Sequence, residues 1–241
     1  MPSARWFEIF YPGNSLEGIF EFQFDNSLNQ KNSTYDLTQR YSYNYDPSDR
    51  ALEIFGKKYT RELYRGEDAS IKKYSESDFI IWKYVGRAPD GQTVRSGIDQ
   101  NSCNWIVYRY ADVLLMKAEA LSQLGRYTEA LNIINEIRSR ADVPLLNLAN
   151  TPTAFEDAIL EERSLELAFE GKRWFDLMRM GRRNDYARKS KLIEIIVRNV
   201  PSTQKRILAT KLTNPLGWYL PIAESELERN KNLVQNPFYN F

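Results

Sequence analysis

Histidine is absent from all 241 residues. It is the usual general base near neutral pH and the commonest metal ligand, so serine-histidine, cysteine-histidine and histidine-zinc sites are excluded within this chain. Cysteine is nearly absent too. Cys103 stands alone, forming no internal disulfide and no CxxC site, and its mid-chain position is wrong for an N-terminal lipid anchor. It reads as a small, partly buried residue. No run of about 18 apolar residues is present to span a membrane, and the start MPSARWFEIF lacks a signal-peptide core, so any anchor is expected outside this chain. Excess charge is also lacking. With 33 basic against 32 acidic residues the formal charge is +1, which argues against a nucleic-acid footprint or a patch for anionic membranes. Neither a metal nor another cofactor is called for.

Aromatic residues are plentiful: 5 Trp, 15 Tyr and 12 Phe exceed what a core of this size requires. Flat rings with a polar edge suit sugar faces as well as protein interiors. The length allows one large domain or two small ones.

The chain is organised around residues 161–181, EERSLELAFEGKRWFDLMRMG. Helical spacing puts Leu165, Ala168 and Phe169 on a face with Glu162 and Glu166. A carboxylate on a core-facing stripe is tolerable only when paired and hydrogen-bonded. Arg163, Lys172, Arg173 and Arg179 in the same stretch supply cations, so it reads as an ion-pair keystone. Gly171 is expected to end the first helix, and a second one carrying Trp174, Phe175, Leu177 and Met178 to stop at Gly181.

Residues 104–125 give the clearest helix, with Ile106, Tyr110, Val113, Leu114, Leu121 and Leu124 in helical period. Ala111, Ala118 and Ala120 let another helix approach, and Gly125 is a natural stop. Residues 127–141 form its antiparallel partner, ending before Pro144. The spacing Ala118, Leu121, Gly125, Tyr127, Ala130, Ile134 resembles one degenerate tetratricopeptide repeat, without a second copy about 34 residues away. A lone pair needs neighbours, either absent chain or the keystone helix. Thr153, with Glu156 three residues on, is expected to cap the helix leading into the keystone. Trp218 is expected to pin the C-terminus. The basic segment 182–191 reads as a solvated helix face, with partner docking as the competing reading.

Upstream, Phe20, Phe22 and Phe24 alternate with Glu21 and Gln23, the pattern of a strand with one buried face. Residues 26–49 then turn polar and irregular but hold Tyr35, Tyr41, Tyr43 and Tyr45. In an extended segment Tyr41, Tyr43 and Tyr45 share one side, beside Gln39, Arg40, Asn44 and Asp46 as hydrogen-bonding groups. Rings with polar edges make these eight residues the candidate ligand-binding set; the competing reading is a tyrosine-rich loop packed on the body of the protein.

Three ordered blocks carry a family resemblance. Glu162-Arg163, residues 166–171 (ELAFEG), Arg173, Asp176-Leu177, Arg179 and Gly181 are similar to the signature near the C-terminus of the SusD/RagB family, nutrient-binding lipoproteins of Bacteroidetes outer membranes. Residues 108–116 (YRYADVLLM) with 118–120 (AEA), and the tail Tyr219-Leu220-Pro221-Ile222, Glu226, Asn232-Leu233 and Gln235-Asn236-Pro237, match the same family. The resemblance covers the C-terminal part of such a protein. Members are roughly twice as long and begin with a signal peptide and a lipid-bearing cysteine, so the native polypeptide is expected to extend N-terminally.

The resemblance implies a mainly α fold, with a tetratricopeptide-like helix pair, a few short strands and long surface loops. It divides the chain into a loop-rich aromatic region (1–100), a helical region (104–200) and an extended C-terminal tail (201–241). It also implies non-enzymatic binding of an oligosaccharide or other nutrient at the outer cell surface, with delivery to a SusC-like TonB-dependent transporter. A peptide- or protein-binding module is the alternative. A glycoside hydrolase using Glu162 and Glu166, one helical turn apart, is disfavoured because neighbouring cations leave no carboxyl with a raised pKa.

Overall fold

The computed structural model describes residues 3–30, 32, 53–55, 64–75, 78–86, 103–198 and 200–239. The chain forms two compact units, Met1–Arg173 and Trp174–Phe241.

In the first unit, strand β1 (Gly18–Phe22) pairs antiparallel with a strand at Trp105–Arg109, and β2 (Ile71–Lys73) pairs antiparallel with β3 (Phe79–Ile81). The Trp105–Arg109 strand, β4, occupies what the periodicity assigned to the first turns of a helix. Its sequence WIVYR is β-branched and aromatic, and Arg109 still has extended backbone (φ −134°, ψ 163°), so the helix α1 runs only over Tyr110–Gln123. The expected burial of β1 is also corrected. Phe20 and Phe22 are exposed, because the register shifts on either side of Phe20 and the intervening Glu21 turns toward Asn14 and Asn104. Its Oε2 accepts from the Asn14 backbone N–H (2.7 Å) and from Asn104 Nδ2 (2.9 Å).

The aromatic start of the chain is core. A 3₁₀ segment at Ser3–Ile9 brings Trp6 and Phe7, with Phe10 just beyond it, against Ile80, Trp82, Tyr84, Val85, Cys103 and Ile106. Each buried ring contributes about 1.5–3 kcal/mol of transfer free energy. The turn that follows requires glycine at position 13: φ is 114°, and a Cβ there would lie 2.3 Å from Asn104 Nδ2.

Helices α1 and α2 (Tyr127–Arg140) form the expected antiparallel pair, with Ala118 and Ala130 fully buried at the crossing. The pair does have a neighbour. Helix α3 (Pro152–Glu166) inserts Phe155 and Ile159 into the same cluster, and the Tyr127 and Phe155 rings lie 4.9 Å apart. Its cap is Thr151, whose Oγ1 accepts from the Ala154 N–H at 3.3 Å. The cap falls two residues before Thr153 because Pro152, lacking an N–H, suits the first helical position.

Helix α4 (Arg173–Tyr186) belongs to the second unit from Trp174 onward; it continues through Gly181 and loses helical geometry at Arg183, Asn184 and Asp185. Gly181 serves packing: a Cβ would lie 2.7 Å from Leu192 Cδ1 and 3.0 Å from Trp218 Cη2. Helices α5 (Lys189–Val197), α6 (Ser202–Leu212) and α7 (Glu224–Arg229) follow. The stretch 201–241 is therefore not uniformly extended. STQKRILATKL contains no glycine or proline and folds as α6, whereas Tyr219 is extended (φ −101°, ψ 145°). Trp218 is buried as expected and donates Nε1–H to the Leu212 carbonyl at 2.9 Å.

Among the described residues no helix is long and apolar enough to cross a membrane.

A buried ion-pair lattice and a candidate ligand groove

The keystone carboxylates are buried and paired, but mostly by cations from other parts of the first unit. Glu162 accepts from Arg65 Nη2 (2.5 Å) and Arg138 Nη1 (2.8 Å). Glu166 accepts from Arg65 Nη2 (3.1 Å), Arg109 Nη1 (2.8 Å) and Arg140 Nη2. Glu170 accepts from Arg109 Nε and Nη2 (2.8 and 2.9 Å) and lies 2.6 Å from Lys83 Nζ. Glu17 bridges Arg109 and Arg140, each at 2.6 Å.

The cations expected to be partners serve elsewhere. Arg163 and Lys172 hold Asp112 at 2.8 and 3.3 Å, Arg173 donates to the Leu160 carbonyl at 2.7 Å, and Arg179 pairs with Asp176 at 2.9 Å.

The lattice also closes the end of α3. Orphan carbonyls at a helix C-terminus need donors. Lys83 Nζ supplies them to Glu166 O (2.7 Å) and Ala168 O (3.1 Å), and Arg109 Nη2 to Glu166 O (2.7 Å). The chain then turns through Phe169 and Gly171 at φ 64° and 75°, with the Tyr84 hydroxyl on the Phe169 carbonyl at 2.5 Å.

Burial opposes ionisation of Glu166, yet the guanidiniums of Arg140, Arg109 and Arg65 outweigh it and hold the carboxyl far below the ordinary range. Glu170 is lowered against burial by Arg109 and Lys83, and Glu17 by Arg109 and Arg140. Lys83 moves the other way: burial lowers its ammonium pKa by more than Glu170 raises it. Among the described residues no group of acidic or cysteine side chains is arranged to hold a metal ion.

A concave surface suited to a ligand lies in the second unit. A groove of about 810 Å³ is lined by Trp174, Phe175, Met178, Arg179, Arg182 and Arg183 from α4, and by Trp218, Tyr219 and Leu220. Helical spacing aligns Trp174, Met178 and Arg182, and sets Phe175 beside Arg179. Phe175 is 65% exposed and Leu220 86%. Arg182 Nη1 donates to the Tyr219 hydroxyl at 2.6 Å, and the guanidinium carbon is 5.9 Å from the Tyr219 ring centroid. The tail behind the groove is fixed by Asn236, whose Nδ2 donates to Leu216 O at 2.8 Å, and by the Tyr239 hydroxyl on Tyr219 O at 3.1 Å.

All eight residues of the tyrosine-rich candidate set (Tyr35, Gln39, Arg40, Tyr41, Tyr43, Asn44, Tyr45, Asp46) lie outside the described residues. The sequence pattern does not reveal the groove, because Trp174 and Phe175 stand in it as apolar positions of a helix. The available signal was an i, i+4, i+8 row of ring, thioether and guanidinium, which an ordinary core stripe does not contain.

The SusD family model matches residues 57–239. The chain belongs to the SusD family. SusD-like protein P38 from Formosa agariphila is 40% identical over 135 residues, spanning 53% of this chain and 24% of that protein. SusD-like protein P2 from the same organism is 34% identical over 145 residues, 57% of this chain and 26% of that one. A SusD superfamily protein from Bacteroides vulgatus has the same fold, with a TM-score of 0.68 at 20% identity over 99% of this chain and 55% of its own. Surface glycan-binding protein A from Bacteroides uniformis gives a TM-score of 0.65 at 22% identity, covering 99% and 52% respectively. The chain thus spans about half the length of these solved relatives, and its match covers about a quarter of the curated ones.

Proposed function

We propose that this SusD-family chain takes part in non-enzymatic binding of oligosaccharides at the outer-membrane surface and passes them to a SusC-like TonB-dependent transporter. The observation that carries the reading is the exposed aromatic groove of the second unit. Pyranose CH faces stack on rings such as Trp174 and Phe175, while Arg182 and Tyr219 bond to polar substituents. The solved relative named as a surface glycan-binding protein supports the reading. So does the state of the keystone carboxylates: Glu162 and Glu166 are buried against guanidiniums, and the pKa of Glu166 is lowered, the opposite of what a glycosidase acid needs. The tyrosine-rich set from Tyr35 to Asp46 is proposed as a further group of sugar-binding residues.

Intrinsic tryptophan fluorescence, titrated with a panel of oligosaccharides and peptides and paired with product analysis of the same mixtures, tests this. Saturable binding to a glycan class without turnover is expected. Trp174→Ala and Phe175→Ala are each expected to weaken it about 2- to 10-fold, the equivalent of one stacking contact. Tyr41→Ala with Tyr43→Ala reports on the loop separately. Binding to peptides alone, or release of shorter sugars, overturns the proposal.

A further inference from the structure

We infer that the groove is built for an anionic saccharide, one carrying carboxylate or sulfate groups, rather than a neutral one; the inference rests on the glycan-binding reading above. Sugar hydroxyls donate and accept hydrogen bonds, so a site for a neutral glycan needs side chains of both kinds. This groove is donor-rich and acceptor-poor. Its lining includes three guanidiniums, Arg182 and Arg183 together with Arg179, which is paired with Asp176, and no Asp, Glu, Asn or Gln. A guanidinium presents five N–H donors and no acceptor. The Trp218 indole N–H is already given to Leu212 O, and the Tyr219 hydroxyl oxygen already accepts from Arg182.

Charge in the surrounding unit points the same way. Residues 174–241 hold 12 basic and 6 acidic side chains, whereas residues 1–173 hold 21 and 26, so the near-neutral total conceals a unit of net charge +6. Such a field raises the local concentration of anions.

Arg182 is the best-placed recognition group. Its bond to Tyr219 and the ring beneath it fix the direction of a planar fork, which reduces the rotamer entropy lost when a carboxylate or sulfate docks. The ring faces of Trp174 and Phe175 then take the sugar backbone. Carboxylate and sulfate share the property the groove reads, which is acceptor oxygens bearing negative charge.

The test is calorimetric titration of the full chain with three oligosaccharides of equal length: a polyuronide, a sulfated glycan and a neutral glucan, at about 20 and about 200 mM salt. One or both anionic ligands should bind at least about tenfold more tightly than the neutral one, with the advantage shrinking at high salt. Whichever anionic ligand binds identifies the group. Arg182→Gln, which adds an acceptor at a solvent-facing position, should remove about tenfold of the anionic affinity and spare the neutral. Trp174→Ala should weaken both. Equal, salt-insensitive affinities for charged and neutral sugars overturn the inference and leave glycan binding standing. Sugar binding that Trp174→Ala leaves unchanged overturns the inference and moves glycan binding to the tyrosine segment; absence of any sugar binding overturns both, as does an acidic peptide binding in the sugars' place.

Discussion

Removal of the Arg109 side chain is the most demanding test of the lattice. Arg109 is fully buried and its donors reach Glu17, Glu166 and Glu170, besides the Glu166 carbonyl at the end of α3. In Arg109→Ala no carboxylate is orphaned, because Glu17 keeps Arg140, Glu166 keeps Arg65 and Arg140, and Glu170 keeps Lys83. The penalty is therefore that of charge-assisted hydrogen bonds lost inside the protein, of which each is worth about 1.5–3 kcal/mol, and partial re-pairing with the remaining cations holds the sum to about 3–5 kcal/mol. At roughly 2–4 °C per kcal/mol the melting transition of the first unit should fall by about 6–20 °C. Arg109→Lys should recover little of this, since a single ammonium cannot replace a fork that bonds Glu170 through two nitrogens. Differential scanning calorimetry gives the transition, and hydrogen exchange gives its location. Amides of α3 and β4, and the turn through Glu170, should lose protection. A loss below about 1 kcal/mol, with unchanged exchange in α3, would refute the view that the lattice holds these elements together.

The same carboxylates set an acid limit. Glu17, Glu166 and Glu170 ionise more readily folded than unfolded, so below about pH 4.3 the unfolded chain binds more protons and acid favours it. Their stabilisation is complete above that pH and should fall by at most about 4 kcal/mol per pH unit below it; denaturant midpoints measured from pH 6 down to pH 3 should show a shallower slope for Glu166→Gln, and an identical slope would exclude Glu166 as a contributor. Gly181→Ala should destabilise the second unit by about 1–2 kcal/mol despite the helix-propensity gain, because the new methyl meets Leu192 and the buried Trp218 ring. A higher melting temperature with unchanged Trp218 emission would contradict that packing.

What could be read from the chain, and what could not, follows from sequence distance. The helix pair was legible because Ala118, Leu121, Ala130 and Ile134 encode their packing within one local period, and the buried Glu162 and Glu166 announced themselves as charges on an apolar stripe. Their partners were not legible. Arg65 stands 97 residues from Glu162, and Arg109 57 residues from Glu166, separations about which helical periodicity carries no information. Nearby arginines were the natural substitutes, and most are engaged with Asp112, Asp176 or carbonyls instead. At β1, alternation separated Phe20 and Phe22 from Glu21 but did not say which set turns inward; that was decided by Asn104, 83 residues away from Glu21.

The groove failed to emerge for a related reason. It joins Trp174 and Phe175 to Tyr219 and Leu220 across 45 residues, and each half alone looks like ordinary apolar sequence. Only when rings and guanidiniums are placed together does the lining show its bias toward donors, and it is that bias, more than the number of aromatic residues, on which the proposal of an anionic-sugar site rests.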